Sequence, residues 1–222
     1  MRFAFFDLDD TLVDTQAALH AWALDFVARY AIEDGDERAA ADVVTRRVND
    51  VVTWREFTEK AREWYRISTP ADRLFDELAA AYAAKFTISA EVTAGLTRLR
   101  DAGWLLAIVT NGLTTVQQGK IERVGLREYV DAVIDSEAAA SRKPDRRIFE
   151  LAAGKLGVEL GPDGWMVGDR IDLDIAGGVA VGLRTIWLPQ GGVVPQPGDP
   201  RPDFTAASID EAIAIIEGGP AQ

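Results

Sequence analysis

Phe3-Ala4-Phe5-Phe6-Asp7-Leu8-Asp9-Asp10-Thr11 is the stretch on which the reading of this chain turns. A short apolar run stops abruptly at three carboxylates. A run that does not alternate with polar residues suits a strand buried on both faces. The same form recurs downstream. Leu105–Val109 stops before Thr110-Asn111-Gly112, Ala132–Ile134 before Asp135, Trp165–Val167 before Gly168-Asp169, and Thr185–Leu188 before Pro189. Helical patterns separate most of these runs. Ala90–Ala102 sets Val92, Leu96 and Leu99 on one face and ends at Gly103, a natural helix terminator. Arg146–Leu156 does the same with Ile148, Phe149, Ala152 and Leu156. Strands alternating with helices predict an α/β fold, a parallel sheet flanked by helices on both sides. In such sheets ligands sit at the carboxyl ends of the strands, so the polar residues that stop each run are the ones to read.

Residues 15–88 break the alternation. Leu19, Trp22, Phe26 and Tyr30 follow helical spacing, as do Phe57, Ala61 and Trp64, and Leu74, Leu78 and Tyr82. No strand-like run intervenes. The pattern predicts a helical module, residues 15–88, inserted into a core made of residues 1–14 and 89–222. Asp203–Ala206 reads as a short strand before a closing helix, and Gly191–Pro202 as a loop.

Composition narrows the chemistry. The 222 residues include no cysteine and one histidine, and 24 Lys+Arg against 36 Asp+Glu leave a net charge of −12. Cysteine nucleophiles, disulfide frameworks and thiolate zinc sites are excluded. So is a phosphatase that needs two histidines, and a Ser-His-Asp triad could use only His20. The acidic balance argues against a nucleic-acid polymer as partner, which needs a surplus of cations. No apolar run approaches the ~20 residues of a membrane span, and the start lacks a signal peptide's apolar region. The expected setting is the cytoplasm, and the expected state a monomer or homodimer.

If the strands are parallel, Asp7, Asp9, Thr110, Asn111, Lys143, Asp169 and Asp174 meet at one sheet edge. Each fits a part in phosphoryl transfer through a carboxylate. Asp7 would attack phosphorus, splitting one hard hydrolysis into two easier steps. Asp9 would protonate the leaving oxygen and then activate water, and its negative neighbours are expected to favour its protonated form. The Thr110 hydroxyl and Asn111 main-chain N–H would hold phosphate oxygens, helped by a helix starting after Gly112. Lys143 would supply a compact positive charge. A dianion among carboxylates meets repulsion of roughly 4 kcal/mol per pair at 4 Å, which a hard cation such as Mg²⁺ offsets. Asp7 and Asp169, the main-chain carbonyl of Asp9, and Asp174 directly or through water are the expected ligands.

These motifs resemble the haloacid dehalogenase-like (HAD) hydrolase superfamily, and within it the magnesium-dependent phosphatases. Phe5 to Thr11 matches the first motif, Val109-Thr110 the second, Lys143-Pro144 the third, and Gly168-Asp169 followed by Asp174 the fourth. The resemblance spans nearly the whole chain. It implies a Rossmann-like core, a helical cap inserted between the first two motifs, Mg²⁺ and an aspartyl-phosphate intermediate. The family's phosphatases carry Asp two residues after the nucleophile, as Asp9 here, and its dehalogenases lack it. Thr110-Asn111-Gly112 with Gln117-Gln118 further resembles pyrimidine 5′-nucleotidases and acylneuraminate 9-phosphatases. The implied substrate is a small phosphorylated metabolite, a sugar phosphate or a nucleoside monophosphate. A phosphomutase, a dehalogenase and a catalytically silent binding protein are the alternatives.

Other polar residues read more plainly. His20 falls in a helical pattern, Asp172 reads as a surface or capping carboxylate, and Arg46, Arg47, Arg55 and Arg66 are expected to be solvated. Trp22, Trp54 and Trp64 are expected in the core of the helical module, with one of them free to line a substrate pocket.

Overall fold

The computed structural model describes residues 1–32, 37–50, 53–191 and 195–218. Six parallel strands form one sheet: β1 (Phe3–Phe6), β2 (Leu105–Thr110), β3 (Ala132–Asp135), β4 (Gly164–Gly168), β5 (Arg184–Trp187) and β6 (Phe204–Thr205), in the order β3-β2-β1-β4-β5-β6. Every apolar run that stops at a polar loop is a strand, and the expected tail strand narrows to two residues. Of the expected loop Gly191–Pro202, residues 192–194 lie outside the described residues.

The strand order reverses at β1, which pairs with β2 on one side and β4 on the other. Such a reversal opens a crevice at the carboxyl ends of the central strands. Register then sets the functional residues in rows. Phe6 pairs with Ile108 and with Val167, so Asp7 stands level with Val109 and Gly168. Thr110 and Asp169 lie one step further along.

The two faces of the sheet bury different side chains. Ala4 and Phe6 face a cluster with Leu96, Leu99, Ile213 and Ile216 from α5 (Ala90–Asp101) and α9 (Ile209–Gly218). Phe3 and Phe5 face Ile148, Phe149 and Ala152 from α7 (Arg146–Leu156). The helices start and stop where the chain supplies caps. Ser89 accepts from Val92 N at the start of α5, Asp145 accepts from Arg147 N at the start of α7, and Gly157 ends α7 in the left-handed conformation.

Between β1 and β2 the chain is helical: α1 (Thr15–Arg29), α2 (Glu37–Thr45), a π-turn at Arg46–Asp50, α3 (Trp54–Trp64) and α4 (Ala71–Ala83). Asp14 and Thr53 cap α1 and α3 through their side-chain oxygens. The helices lock around Trp22, 1% exposed, whose ring makes edge contacts with Trp54 at 5.0 Å, Phe57 at 5.6 Å and Tyr82 at 6.2 Å. The apolar cluster does not stop at the insertion; it runs from Trp22 and Phe57 through Leu8 and Leu12 to the sheet. Truncation of Trp22 should therefore loosen the whole molecule. Trp22→Ala is expected to cost about 3–5 kcal/mol of stability, read by urea denaturation followed by tryptophan fluorescence.

Candidate active site

The turn after β1 separates the first two carboxylates. Leu8 O accepts from the amides of Leu12 and Val13, Asp10 N donates to Val13 O, and Asp10 takes a left-handed φ of 54°. Asp is one of the few side chains that tolerate this conformation. The Asp7 side chain is buried against Lys143, and the Asp9 side chain meets a different set of partners.

Lys143 is 2% exposed, and its Nζ lies 2.6 Å from Asp7 Oδ1 and 2.6 Å from Asp174 Oδ1. Asp174 is fully buried, and its second oxygen accepts from Arg170 N at 3.0 Å. Gly168 makes room for it, since a Cβ there would lie 2.3 Å from the Asp174 carboxyl. Oxygens of Asp7, Asp169 and Asp174 fall within 4.8 Å of one another. Two carboxylates thus share one ammonium, and a third stands beside them. Burial pushes Asp7 up to about 7; Lys143 opposes this, and repulsion from Asp174 and Asp9 adds to it. Burial, with repulsion from Asp7, Asp174 and Asp10, pushes Asp169 up to about 8. Lys143 shifts upward: burial works against its charge, but Asp174 and Asp7 outweigh that. An all-oxygen donor set short of positive charge fits a hard divalent cation.

Asn111 has a part that its place in the sequence did not reveal. Its side-chain amide donates to Lys143 O at 3.1 Å and accepts from Lys143 N at 2.8 Å. It braces the main chain that carries Lys143. Thr110, 1% exposed, accepts from Gln117 Nε2 at 2.6 Å. The helix expected after Gly112 is α6 (Thr114–Arg123), and its first amide, Thr114 N, donates to Glu137 at 2.8 Å.

The environment of Asp9 corrects the expectation that negative neighbours favour its protonation. Its carboxylate accepts from Lys120 Nζ at 2.6 Å, Thr15 Oγ1 at 2.7 Å and Gln117 Nε2 at 2.9 Å. Burial raises its pKa, but the Lys120 charge with these hydrogen bonds overrides burial and holds the group below its ordinary value. Lys120 is itself buried, with its ammonium 5.3 Å from the Tyr82 ring and 5.1 Å from the Phe86 ring. The readable signal lay in α6, where Gln117 and Lys120 share the buried face with Val116 and Ile121. Two long polar side chains on an apolar helix face call for a partner.

The plainer residues divide. His20 is exposed and pairs with Glu37, and Asp172 is exposed and pairs with Arg170. Trp22 and Trp54 are buried, and Trp54 also lines a cleft beside Asp9. Arg47 departs from the solvated reading, because it is half-buried in that cleft. If Lys120 serves to satisfy Asp9, Lys120→Met should cost about 1–3 kcal/mol in chemical denaturation, and Asp9→Asn in that background should recover part of the loss.

The chain is similar to characterised enzymes along almost its full length. It is 29% identical over 235 residues to N-acylneuraminate-9-phosphatase of Homo sapiens, covering 98% of this chain and 94% of that protein. It is 30% identical over 218 residues to pyrimidine 5′-nucleotidase YjjG of Escherichia coli strain K12, covering 96% of each. The crystal structure of a HAD phosphatase from Thermococcus onnurineus superposes with a TM-score of 0.73 at 25% identity, covering 98% of this chain and 99% of that one. The model of the haloacid dehalogenase-like hydrolases matches residues 1–182, and the chain belongs to that family.

Proposed function

We propose that this hydrolase is a Mg²⁺-dependent phosphatase that cleaves a small phosphorylated metabolite, a sugar phosphate or nucleoside monophosphate, through an aspartyl-phosphate. One observation carries the reading: a buried Asp7 at the sheet's reversal point, 2.6 Å from the Lys143 ammonium and grouped with Asp169 and Asp174. The phosphatase and nucleotidase relatives support it, and so does Asp9, which the family's dehalogenases lack. No helix among the described residues is long and apolar enough to cross a membrane, and the setting proposed is the cytoplasm.

In this reading an Asp7 oxygen attacks phosphorus and the bond from phosphorus to the leaving oxygen breaks. Asp9 gives that oxygen its proton. Asp9, now ionised, takes a proton from water, and the resulting hydroxide displaces Asp7 and frees phosphate. The Asp9 seen here is prepared for the second half, since Lys120, Thr15 and Gln117 hold it ionised. Protonating the leaving group requires it to exchange those partners for the substrate. Thr15 opens the helical insertion, so movement of residues 15–88 as a cap would couple closure to that exchange. Lys143 steadies the phosphate oxygens, Thr110 and the Asn111 N–H bind them, and the Asn111 side chain keeps Lys143 in place. Asp7, Asp169, the main-chain carbonyl of Asp9 and Asp174 would hold Mg²⁺, which supplies charge neutralisation between the carboxylates and the incoming dianion.

Purified protein should release phosphate from p-nitrophenyl phosphate and from members of a metabolite panel. EDTA should abolish the release and added Mg²⁺ restore it. Asp7→Asn should lower kcat by at least about a thousandfold while circular dichroism stays unchanged. Undiminished turnover in that variant would refute Asp7 as the nucleophile. Asn111→Ala should lower activity less than Lys143→Ala does, because it displaces the ammonium without removing it.

A further inference from the structure

The cleft beside Asp9 has a volume of about 620 Å³, enough for a small metabolite. Asp9 and Asn111 line it, so a phosphate held at Asp7 and the Asn111 N–H would direct the rest of the substrate into this space. The insertion contributes Arg47, Trp54 and Tyr82 to the walls, and the sheet edge contributes Ser141 and Arg142. The acidic groups in these walls are engaged: Asp9 by Lys120, and Glu137 by Thr114 N. Arg47 and Arg142 have no ion pair among the described residues.

Arg47 is the more informative of the two. Its guanidinium lies 4.5 Å over the Trp54 ring, and its Nε is buried without a hydrogen-bond partner. Stacking fixes the plane of the group and leaves its edge to face a ligand. Burial works against its charge, with only Tyr82 and Asp9 opposing. The Ser141 hydroxyl, in the same cleft, is also buried and unpartnered. An acidic protein that keeps two unpaired guanidiniums and an unsatisfied hydroxyl in one cleft has a place for negative charge. The Lys143 site serves the reacting phosphate, so this charge is a different one.

We infer that the leaving group of the substrate carries a second anion, a carboxylate or a second phosphate, which Arg47 receives with help from Arg142 and Ser141. This rests on the phosphatase reading and deepens it. Arg47 is then a specificity residue: it rewards substrates for a group remote from the bond that breaks. A guanidinium meets either anion through two parallel hydrogen bonds, so the geometry names the shared chemistry.

The test measures kcat/KM for three matched compounds: a neutral sugar phosphate, the corresponding sugar-acid phosphate and the corresponding sugar bisphosphate. Wild-type protein should prefer at least one anion-bearing member, and which one identifies the anion. In Arg47→Gln the ratio of anion-bearing to neutral kcat/KM should fall roughly ten- to a hundredfold, the size of a lost charged hydrogen bond. Arg47→Lys should keep part of the preference. The ratio is taken within one preparation, so a smaller folded fraction leaves it unchanged. No preference in the wild type, or an equal ratio in Arg47→Gln, overturns the inference. If no member releases phosphate, the phosphatase reading itself fails only when p-nitrophenyl phosphate and nucleoside monophosphates are left intact as well, and thermal shifts with the same three compounds decide the anion site. A rise in Tm for the anion-bearing members that Arg47→Gln lacks upholds it, and equal shifts end it.

Discussion

A lysine ammonium at 2% exposure keeps its charge only where carboxylates replace the water it has lost. Lys143 meets that condition with Asp7 from the end of β1 and Asp174 from the turn after β4, each at 2.6 Å. The constraint reaches well beyond the three side chains. β1 and β4 must be neighbours in register, Gly168 must lack a side chain so that Asp174 can lie over it, and Asn111 must hold the Lys143 backbone from the end of β2. Each of the central strand ends thus contributes to one charge cluster. Removing one carboxylate would not simply delete an interaction; it would leave a buried charge with half its compensation.

Much of this was legible because the governing signals are local. An apolar run without alternation, stopped by Asp, Asn or Pro, needs only a few residues to be recognised, and five such runs became five strands. Positions just past those runs also came out together, because parallel strands deliver their ends to one edge whatever lies between them. The unread parts depend on partners from distant elements. Lys120 looks like any surface lysine until α6 is laid against the turn carrying Asp9. Asn111 reads as a main-chain donor to phosphate, and its side-chain role shows only once the backbone of Lys143 arrives beside it. Arg47 sits in a π-turn that no periodicity announces, and its burial comes from Trp54 across the insertion. Charge clusters made across elements leave no spacing rule in the chain.

The insertion and the sheet share one apolar cluster, which bears on how the parts move. Trp22, Phe57 and Tyr82 anchor the helices to one another, and Leu8 and Leu12, in the turn that carries Asp9 and Asp10, sit in the same cluster. The turn is thus packed from below by the strand and from above by the helices. An insertion that shifts in one piece, with its aromatic contacts intact, would transmit its displacement to Asp9 through Thr15.

The amide of Gln117 has one consequence for what the site will accept. Its nitrogen has two hydrogens, one directed at Asp9 and the other at the Thr110 hydroxyl. A carboxylate can only accept, so the orientation of the amide is settled by chemistry. Thr110 Oγ1 is thereby committed as an acceptor toward the helix, and its own hydrogen points elsewhere. The hydroxyl keeps that hydrogen to give and one further lone pair to receive. In the proposed reaction a phosphoryl oxygen would take the hydrogen, along a direction set from the far side of the threonine.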